Sequence, residues 1–267
     1  MRNGFQLASV WIPKLKRDLS GWIWSEKLDG VRALWDSRRG LISRNNHAFK
    51  TPSSFTSSLP RKIFLDGELY IDRGMFHDTV SVVRTREVWT PLVKFKIFDV
   101  WSPATRNYGY LDRLDWFKQQ NAYTLLSDHI HLINSFALET GNAEEIKSLL
   151  RSVIEKGGEG LILRDPKGLY TEGRQSANKS GILKVKPLLD DEAEVVSVSL
   201  DEGRKGSVTV RDNEGRIFKI GSGFRDIKSE PPPQVGSVIT FGYTSRHEDS
   251  GIPRFPRFLR IRSDSNI

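Results

Sequence analysis

The sequence of 267 residues contains no cysteine, which excludes disulfide bonds and cysteine-ligated zinc. It has no apolar run close to the roughly 20 residues that cross a bilayer. Its first six residues also lack the apolar segment of a secretory signal. With 37% hydrophobic and 28% charged residues, the sequence predicts a soluble globular protein with no membrane association, and we expect it in the cytoplasm.

Positive charge exceeds negative charge, with a net charge of +8 and a pI of about 9.6. The first 50 residues contain ten lysines and arginines and four acids, so ten minus four gives +6 for this stretch alone. A clustered basic region indicates a polyanionic partner such as a nucleic acid more strongly than a diffuse one. A generally basic soluble protein is the alternative that the total charge leaves open.

The first part of the chain combines short strands with later helices. Residues 20–100 carry β-branched and aromatic segments that predict strands at 23–25, 31–35, 63–65 and 93–98. Residues 144–156 have one apolar stripe with helical spacing, preceded by Asn142 as an N-cap and followed by Gly157 as a stop. A weaker helix is predicted at 111–120.

After Pro187 the pattern changes to short alternating segments divided by turns at roughly ten-residue spacing. Strands are predicted at 196–200, 208–210, 216–220 and 235–243, with turns at 201–205 and 213–215. This rhythm indicates a small antiparallel barrel or sandwich. We place the boundary near 187–190, which gives domains 1–187 and 188–267.

Residues 26–30 read Glu-Lys-Leu-Asp-Gly, and Arg32 follows two positions later. Lys-x-Asp-Gly is the signature of covalent nucleotidyltransferases, in which the lysine amine attacks an α-phosphate. The alternative for the isolated motif is a β-turn with Gly30 in a left-handed conformation and Lys27 as an exposed charge.

Four further motifs follow in order along the chain. They are residues 65–69 (Leu-Asp-Gly-Glu-Leu), 96–100 (Lys-Ile-Phe-Asp-Val), 158–164 (Gly-Glu-Gly-Leu-Ile-Leu-Arg) and 183–186 (Leu-Lys-Val-Lys). The first is predicted to be an acidic turn that ends an apolar strand, and the alternation in the last directs both lysines to one strand face. With Lys27, this ordered set resembles the ATP-dependent DNA ligases in their smallest bacterial and viral forms, from about residue 20 to 262.

The resemblance implies an α+β fold. It consists of an ATP-grasp-like nucleotidyltransferase domain of antiparallel sheets with packed helices, followed by an all-β OB-fold barrel. It also implies an ATP-dependent DNA ligase that works as a monomer on nicked double-stranded DNA with Mg²⁺ or Mn²⁺. NAD⁺-dependent relatives carry an N-terminal nicotinamide-binding domain and cysteine-rich zinc modules. This sequence contains no cysteine, so ATP rather than NAD⁺ is the expected cofactor.

The chemistry of an amine nucleophile limits what the acidic residues can do. A lysine has an ordinary pKa of about 10.4, and nearby cations lower that pKa while carboxylates raise it. Glu68 and Glu159 would therefore oppose the reactivity of Lys27 unless they organise a divalent cation. Mg²⁺ prefers oxygen ligands and pairs with substrate phosphates, so these two glutamates are its expected ligands.

The resemblance also implies a role for each motif residue. Lys27 is the expected catalytic nucleophile, and the expected DNA contacts are Arg44 at the 5′-phosphate of the nick and Arg174. The expected ATP-binding residues are Glu26, Lys27, Arg32, Glu68, Phe98, Glu159, Lys184 and Lys186. The alternatives are a core position for Phe98, an exposed turn for Glu68, a solvated strand face for the two lysines and plain surface positions for the two arginines.

Two features leave the function less defined at the C-terminus and at the substrate. Arg262-Ser263-Asp264 resembles the final motif of larger ligases, but Ser265 replaces the usual lysine. An RNA ligase or an mRNA-capping guanylyltransferase shares the lysine chemistry and is the nearest rival. A catalytically silent nucleic-acid-binding protein is the rival from another class.

His129 and His131 alternate like strand residues, without metal-ligand spacing, and are predicted to be structural.

Overall fold

The computed structural model describes residues 4–13, 15–85, 89–187, 189–199, 206–224, 233–247 and 249–262. The chain divides into two compact units, Met1–Lys186 and Pro187–Ile267. The predicted turn at 201–205 and the motif residues 263–265 lie outside the described residues.

Among its described residues, the first unit combines many short strands with five α-helices and one 3-10 helix at Pro103–Thr105. Its strands are β1 (Gln6–Leu7), β2 (Ser9–Val10), β3 (Ile23–Glu26), β4 (Val31–Asp36), β5 (Gly40–Ser43), β6 (Phe64–Tyr70), β7 (Lys94–Trp101), β8 (Ile130–Leu132), β9 (Phe136–Ala137), β10 (Leu161–Arg164), β11 (Gly173–Arg174) and β12 (Ile182–Val185). Its helices are α1 (Ser53–Thr56), α2 (Phe76–Thr85), α3 (Tyr110–Lys118), α4 (Asn121–Thr124) and α5 (Ala143–Glu155).

Two five-stranded sheets organise this unit. Sheet 1 has the order β2-β12-β10-β3-β9 and sheet 2 has the order β5-β4-β6-β7-β8, while β1 pairs with β11. Each sheet packs one face on an apolar cluster of its own. Helix α5 contributes to the cluster under sheet 1, and α2 and α3 contribute to the one under sheet 2. The predicted α+β class is confirmed.

Helix α5 begins where the sequence places an N-cap. The Asn142 side chain accepts a hydrogen bond from the N–H of Glu145 at 2.9 Å. The Glu145 carboxylate accepts bonds from the backbone of 139–141, so it fastens the preceding loop rather than closing a reciprocal capping box. Gly157, at φ +79°, follows the end of the helix.

The prediction of an acidic turn at 65–69 is wrong, because β6 runs through all five residues. Polar residues occupy a strand interior here because their side chains meet partners on the next strand, and Asp66 pairs with Arg32. Gly67 is required by close packing, since a Cβ there would lie 2.6 Å from the Phe95 ring and 2.7 Å from the Lys96 carbonyl oxygen. A bulge between Asp66 and Gly67 accommodates this approach.

The second unit is all-β within the described residues. Its strands are β13 (Leu189–Ser199), β14 (Ser207–Asp212), β15 (Ile217–Ile220), β16 (Val238–Tyr243), β17 (Ser245–Arg246), β18 (Pro253–Arg254) and β19 (Arg257–Ile261). The main sheet is antiparallel with the order β15-β14-β13-β16-β19. Val208 and Val210 point into its core, as their alternation predicts. In β13 a bulge between Val195 and Ser197 interrupts the predicted alternation, so Val195 is the fully buried residue.

A buried ion pair joins sheet 2 to α3. Arg113 donates to Asp99 at 3.0 and 2.9 Å, and both side chains are 2% exposed. Asp99→Asn would leave a buried guanidinium without its counter-charge, so we expect the free energy of unfolding to fall by about 3–5 kcal/mol. Asp115→Asn removes the exposed partner of Lys118 on the same helix and should cost less than about 1 kcal/mol. Equal losses in denaturant unfolding of the two variants would contradict this prediction.

Candidate active site

Lys27 lies in the short loop between β3 and β4, at the end of an inner strand of sheet 1. Its backbone N–H donates to the carbonyl of Gly160 at 2.8 Å, which attaches the loop to the residue before β10. Gly30 closes the loop, but not in a left-handed conformation. A Cβ at Gly30 would lie 2.4 Å from the Leu69 carbonyl oxygen and 2.8 Å from Glu68, so the close approach of β6 requires a glycine there.

The Glu159 carboxylate binds two ammonium groups at once. One oxygen accepts from Lys27 Nζ and the other accepts from Lys186 Nζ, and all three side chains are partly buried. Burial alone would raise the pKa of Glu159, but the charges of Lys27 and Lys186 outweigh burial and hold this pKa below its ordinary value. Glu159 therefore stays ionised and fixes the amine of Lys27 in place.

The pairing of β10 with β12 separates a core face from a polar face. Leu161 and Leu163 lie opposite Val185 and Leu183, and all four are buried in the cluster that α5 covers. Successive strand residues point to opposite faces of a sheet, so the residues between them face the other way. These are Ile162, Arg164, Ile182 and Lys184, with Lys186 next in the same alternation.

Lys184 belongs to the same cationic group as Lys27. Burial lowers the pKa of Lys184, and the nearby charges of Arg174, Lys186 and Lys27 lower it further. The lysine pair predicted to share a face is therefore brought together beside Lys27, partly buried rather than solvated.

Arg32 is held on sheet 2 by a buried carboxylate. It donates to Asp66 from Nε at 2.7 Å and from Nη2 at 2.6 Å. The Tyr170 hydroxyl donates to the same carboxylate at 2.7 Å, and Asp66 is 1% exposed. Burial disfavours the charged form of Arg32, but Asp66 outweighs it and raises the pKa of Arg32. This network fixes the direction of the guanidinium.

Glu68 stands beside Arg32 in the cross-strand register, with Lys96 opposite it on β7. Burial raises the pKa of Glu68 to about 7, although the charges of Arg32 and Lys27 oppose the shift. Glu68 is therefore not an exposed turn acid. Its carboxyl group is a proton-binding site close to neutral pH, within electrostatic reach of Lys27 and Glu159.

Phe98 is half-buried on β7 and does not belong to the apolar core of sheet 2. Two guanidinium groups contact its ring, that of Arg32 at 4.5 Å and that of Arg164 at 4.9 Å from the ring centroid. Contact between a guanidinium group and an aromatic ring is electrostatically favourable. The ring lines a pocket together with residues from both sheets. The pocket is lined by Ala8, Ser25, Glu26, Lys27, Leu28, Arg32, Glu68, Phe98, Ile133, Ile162, Arg164 and Ile182.

Glu26 lines this pocket and is also engaged by an arginine that the motifs do not include. Arg73 donates to both oxygens of Glu26, at 2.9 and 2.7 Å, and to the carbonyl of Lys156 at 2.9 Å. Arg73 thus links the loop after β6 to β3 and to the end of α5. A neighbouring cavity of about 420 Å³ shares Glu26, Leu28 and Ile133 with the pocket.

The two predicted DNA-contacting arginines are on the surface. Arg44 is exposed in the turn after β5, and Arg174 is exposed on β11. Arg174 is close enough to lower the pKa of Lys184, so it lies near the cationic group. Neither arginine lines the pocket around Lys27.

Three residues of the site and its support carry no prediction from the sequence: Arg164, Arg73 and Tyr170. Arg164 ends the fourth motif, and its alternation with Ile162 places it on the polar strand face, so the sequence contained a usable signal. Arg73 and Tyr170 act through partners 47 and 104 positions away in the chain, and no local pattern marks such contacts.

Comparison with known proteins identifies two protein families and several relatives that this sequence matches. A family model described as the ATP dependent DNA ligase domain matches residues 12–186, and one described as the DNA ligase OB-like domain matches residues 201–262. A DNA ligase of Haemophilus influenzae is 30% identical over 248 residues, which is 91% of this chain and 87% of that protein. A DNA ligase of African swine fever virus is 30% identical over 197 residues, 67% of this chain and 44% of the viral protein.

Solved structures agree with these matches. A Lig E DNA ligase is 32% identical and superposes with a TM-score of 0.74, covering 98% of this chain and 100% of the other. The Chlorella virus DNA ligase-adenylate is 25% identical with a TM-score of 0.56, covering 97% of this chain and 98% of the other. The expected two-part fold is therefore confirmed.

The raised pKa of Glu68 predicts a pH effect on stability. Between about 4.5, the ordinary value, and about 7, the folded protein keeps a proton that the unfolded chain releases. Because only the folded state binds this proton, the free energy of unfolding falls as pH rises. The stability that the bound proton contributes is present at acid pH and is lost toward neutrality. Glu68→Gln cannot ionise and should gain several degrees in Tm relative to wild type between pH 4.5 and 7.5.

The control is Glu155→Gln, which removes an exposed carboxylate of α5. Its Tm should follow the wild-type curve over the same pH series. A Glu68→Gln curve parallel to wild type would contradict the burial of this carboxyl group.

Proposed function

The chain belongs to the ATP-dependent DNA ligase family, and on that premise we propose that Lys27 is the residue that carries AMP. The observation that carries the proposal is the position of Lys27 Nζ, held by Glu159 within a group of lysines at the edge of a pocket. An amine that lies beside two other lysines is placed to meet the phosphates of a nucleotide.

In the first step, Lys27 Nζ attacks the α-phosphorus of ATP. A nitrogen–phosphorus bond forms, the bond from the α-phosphorus to the bridging oxygen breaks, pyrophosphate leaves and the amine loses its proton. Lys184 and Lys186 stabilise the negative charge on the α-phosphate, because both lie beside Lys27. Arg32 binds a phosphate or ribose group from the opposite sheet, with its direction set by Asp66.

Phe98 and Glu26 bind the adenosine part of the nucleotide. The Phe98 ring offers a flat, half-exposed surface in the pocket, and a purine stacks well on such a surface. Glu26 lines the same pocket, and Arg73 holds its carboxylate in a fixed position. Its oxygens then accept a hydrogen bond from an N–H donor of the adenine base.

Glu68 and Glu159 fit a Mg²⁺ or Mn²⁺ site. The two carboxyl groups lie close enough to influence each other, and both are near Lys27. Mg²⁺ is commonly held by one or two carboxylates while substrate phosphates and water complete its ligands. A bound ion would neutralise phosphate charge during the transfer. Without an ion, Glu159 holds Lys27 and Lys186 as their shared counter-charge.

In the next two steps the AMP passes to DNA and then leaves. An oxygen of the 5′-phosphate at a nick attacks the phosphorus of lysine–AMP, and Lys27 departs as an amine. The 3′-hydroxyl then attacks the 5′-phosphorus, which forms the phosphodiester bond and releases AMP. Exposed Arg44 contacts the 5′-phosphate, and Arg174 contacts the strand near the nucleotide.

We assign adenylation and the contacts at the nick to residues 1–187, and further contact with the duplex to the OB-like residues 188–267. Arg262 lies at the end of the described C-terminal segment, and we propose that it contacts DNA or the leaving pyrophosphate. No helix in the described part of the chain is long and apolar enough to cross a membrane. We propose a monomer that acts on nicked duplex DNA in the cytoplasm.

Replacement of the proposed nucleophile tests the first step. Wild-type protein incubated with labelled ATP and Mg²⁺ should acquire an acid-labile AMP adduct, whereas GTP should give none. Lys27→Ala should lose the adduct entirely, because no other group supplies the nitrogen–phosphorus bond. Lys147→Ala removes an exposed lysine on α5 and should keep the wild-type yield. An adduct on Lys27→Ala would sink the proposal, as would its absence from wild type.

The proposed DNA contacts predict a strong salt dependence. Each phosphate contact contributes about one unit to the slope of log K against log salt. Arg44→Ala and Arg174→Ala should therefore each reduce the slope for nicked duplex by about one, while Arg106→Ala, another exposed arginine, leaves it unchanged. The measurement is fluorescence anisotropy over a salt series, and a wild-type slope near zero would refute these contacts.

A further inference from the structure

Arg164, the last residue of β10, is a buried cation without a counter-charge among the described residues. Its side chain is 5% exposed, and its Nε hydrogen has no partner. Its described side-chain contacts are with two aromatic rings, Phe98 at 4.9 Å and Tyr110 at 5.3 Å from the ring centroids. It lines the same pocket as Lys27. A guanidinium whose Nε–H has no partner therefore stands at a ligand pocket.

Two other arginines that border this pocket or its support are anchored by carboxylates. Arg32 is fixed by Asp66, and Arg73 by Glu26. Burying an unpaired charge is costly, and contacts with aromatic rings recover only part of that cost. An acceptor supplied by a ligand would complete what the protein leaves open at Arg164.

The strand register indicates which part of a nucleotide Arg164 meets. Arg164 lies opposite Ile23, and Leu161 lies opposite Glu26, the residue before Lys27. At about 3.3 Å per residue, the backbone of Arg164 is therefore roughly 13 Å along the sheet from that of Lys27. A nucleotide whose α-phosphate is at Lys27 extends its base toward the Phe98 end of the pocket, where Arg164 is.

We propose that Arg164 is a nucleobase-binding residue, whose guanidinium donates a hydrogen bond to a ring-nitrogen acceptor of the purine held at Phe98. This inference rests on the proposed function, in which Lys27 attacks ATP in this pocket. Arg164 contributes to binding rather than to the transfer itself, because the reacting phosphorus is at the opposite end of the pocket. It therefore favours the purine nucleotide through KM.

The test compares the formation of the AMP adduct by wild type and Arg164→Met over a range of ATP concentrations. A hydrogen bond to a charged donor corresponds to an increase in KM of about 10- to 100-fold, with the maximal rate changed less than about threefold. Arg164→Met removes no described hydrogen bond or ion pair within the protein, so its Tm should not fall. Arg151→Met, an exposed arginine on α5, should match wild type in all three measurements.

Nucleotides that lack one acceptor identify the contact. The 1-deaza, 3-deaza and 7-deaza forms of ATP each remove one ring nitrogen. One of them should raise KM for wild type as strongly as Arg164→Met does for ATP, and should cost the variant nothing further. Equal losses in wild type and variant for all three analogues would overturn the proposal. An increase in KM for 2′-deoxy-ATP that occurs in wild type but not in Arg164→Met would also overturn it, because that result would place the contact at the ribose 2′-hydroxyl.

Failure of this inference is distinguishable from failure of the proposed function. If wild type forms the adduct and Lys27→Ala does not, while Arg164→Met keeps the wild-type KM, only the role of Arg164 is refuted. If Arg164→Met does not fold, Arg164→Leu takes its place. Leucine also lacks a hydrogen-bond donor, so a wild-type KM for ATP in that variant would equally refute the proposal.

Discussion

The site depends on one carboxylate, that of Glu159, which holds the amines of Lys27 and Lys186 together. Two partly buried ammonium groups that share one carboxylate would repel each other if that carboxylate were absent. Glu159 makes their proximity tolerable, and the two lysines in turn keep it ionised. The arrangement is therefore mutual. The pairing of Glu159 with the two lysines concentrates positive charge at one end of the pocket. A nucleotide phosphate bound there can neutralise part of the charge that Glu159 neutralises in its absence.

Much of this arrangement could be predicted, because it depends on alternation along a strand. The apolar residues Leu161 and Leu163 fix one face of β10 in the core, and the same alternation in β12 turns Lys184 and Lys186 to the other face. The α5 cap at Asn142 was likewise predictable, because a cap is a local interaction. Local rules therefore predict the faces of these two strands and the start of the helix, because each depends on its own segment of the chain.

The acidic residues of β6 were harder to place, because a carboxylate in a strand interior contradicts a local rule. Asp66 and Glu68 resemble turn residues next to Gly67. Their strand conformation depends on Arg32 across the sheet and on Tyr170, which is 104 positions away from Asp66. The glycine has a packing role against Phe95 that only the assembled sheet reveals. A sequence pattern identifies these residues as unusual, but the partner that explains them is set by the register of β4 on β6.

The counter-charge distinguishes the arginines of this unit from one another. Arg113 with Asp99 and Arg32 with Asp66 each pair a cation with a buried carboxylate, and such pairs fix positions because removing either partner is costly. Arg164 is 5% exposed, between Arg113 at 1% and the Arg32 side chain at 22%, but its described contacts are aromatic. A fold that neutralises its other deep arginines has no structural need for an unpaired one. The position is best explained by a ligand that provides the acceptor, and the location of Arg164 on the polar face of β10 identifies which pocket that ligand occupies.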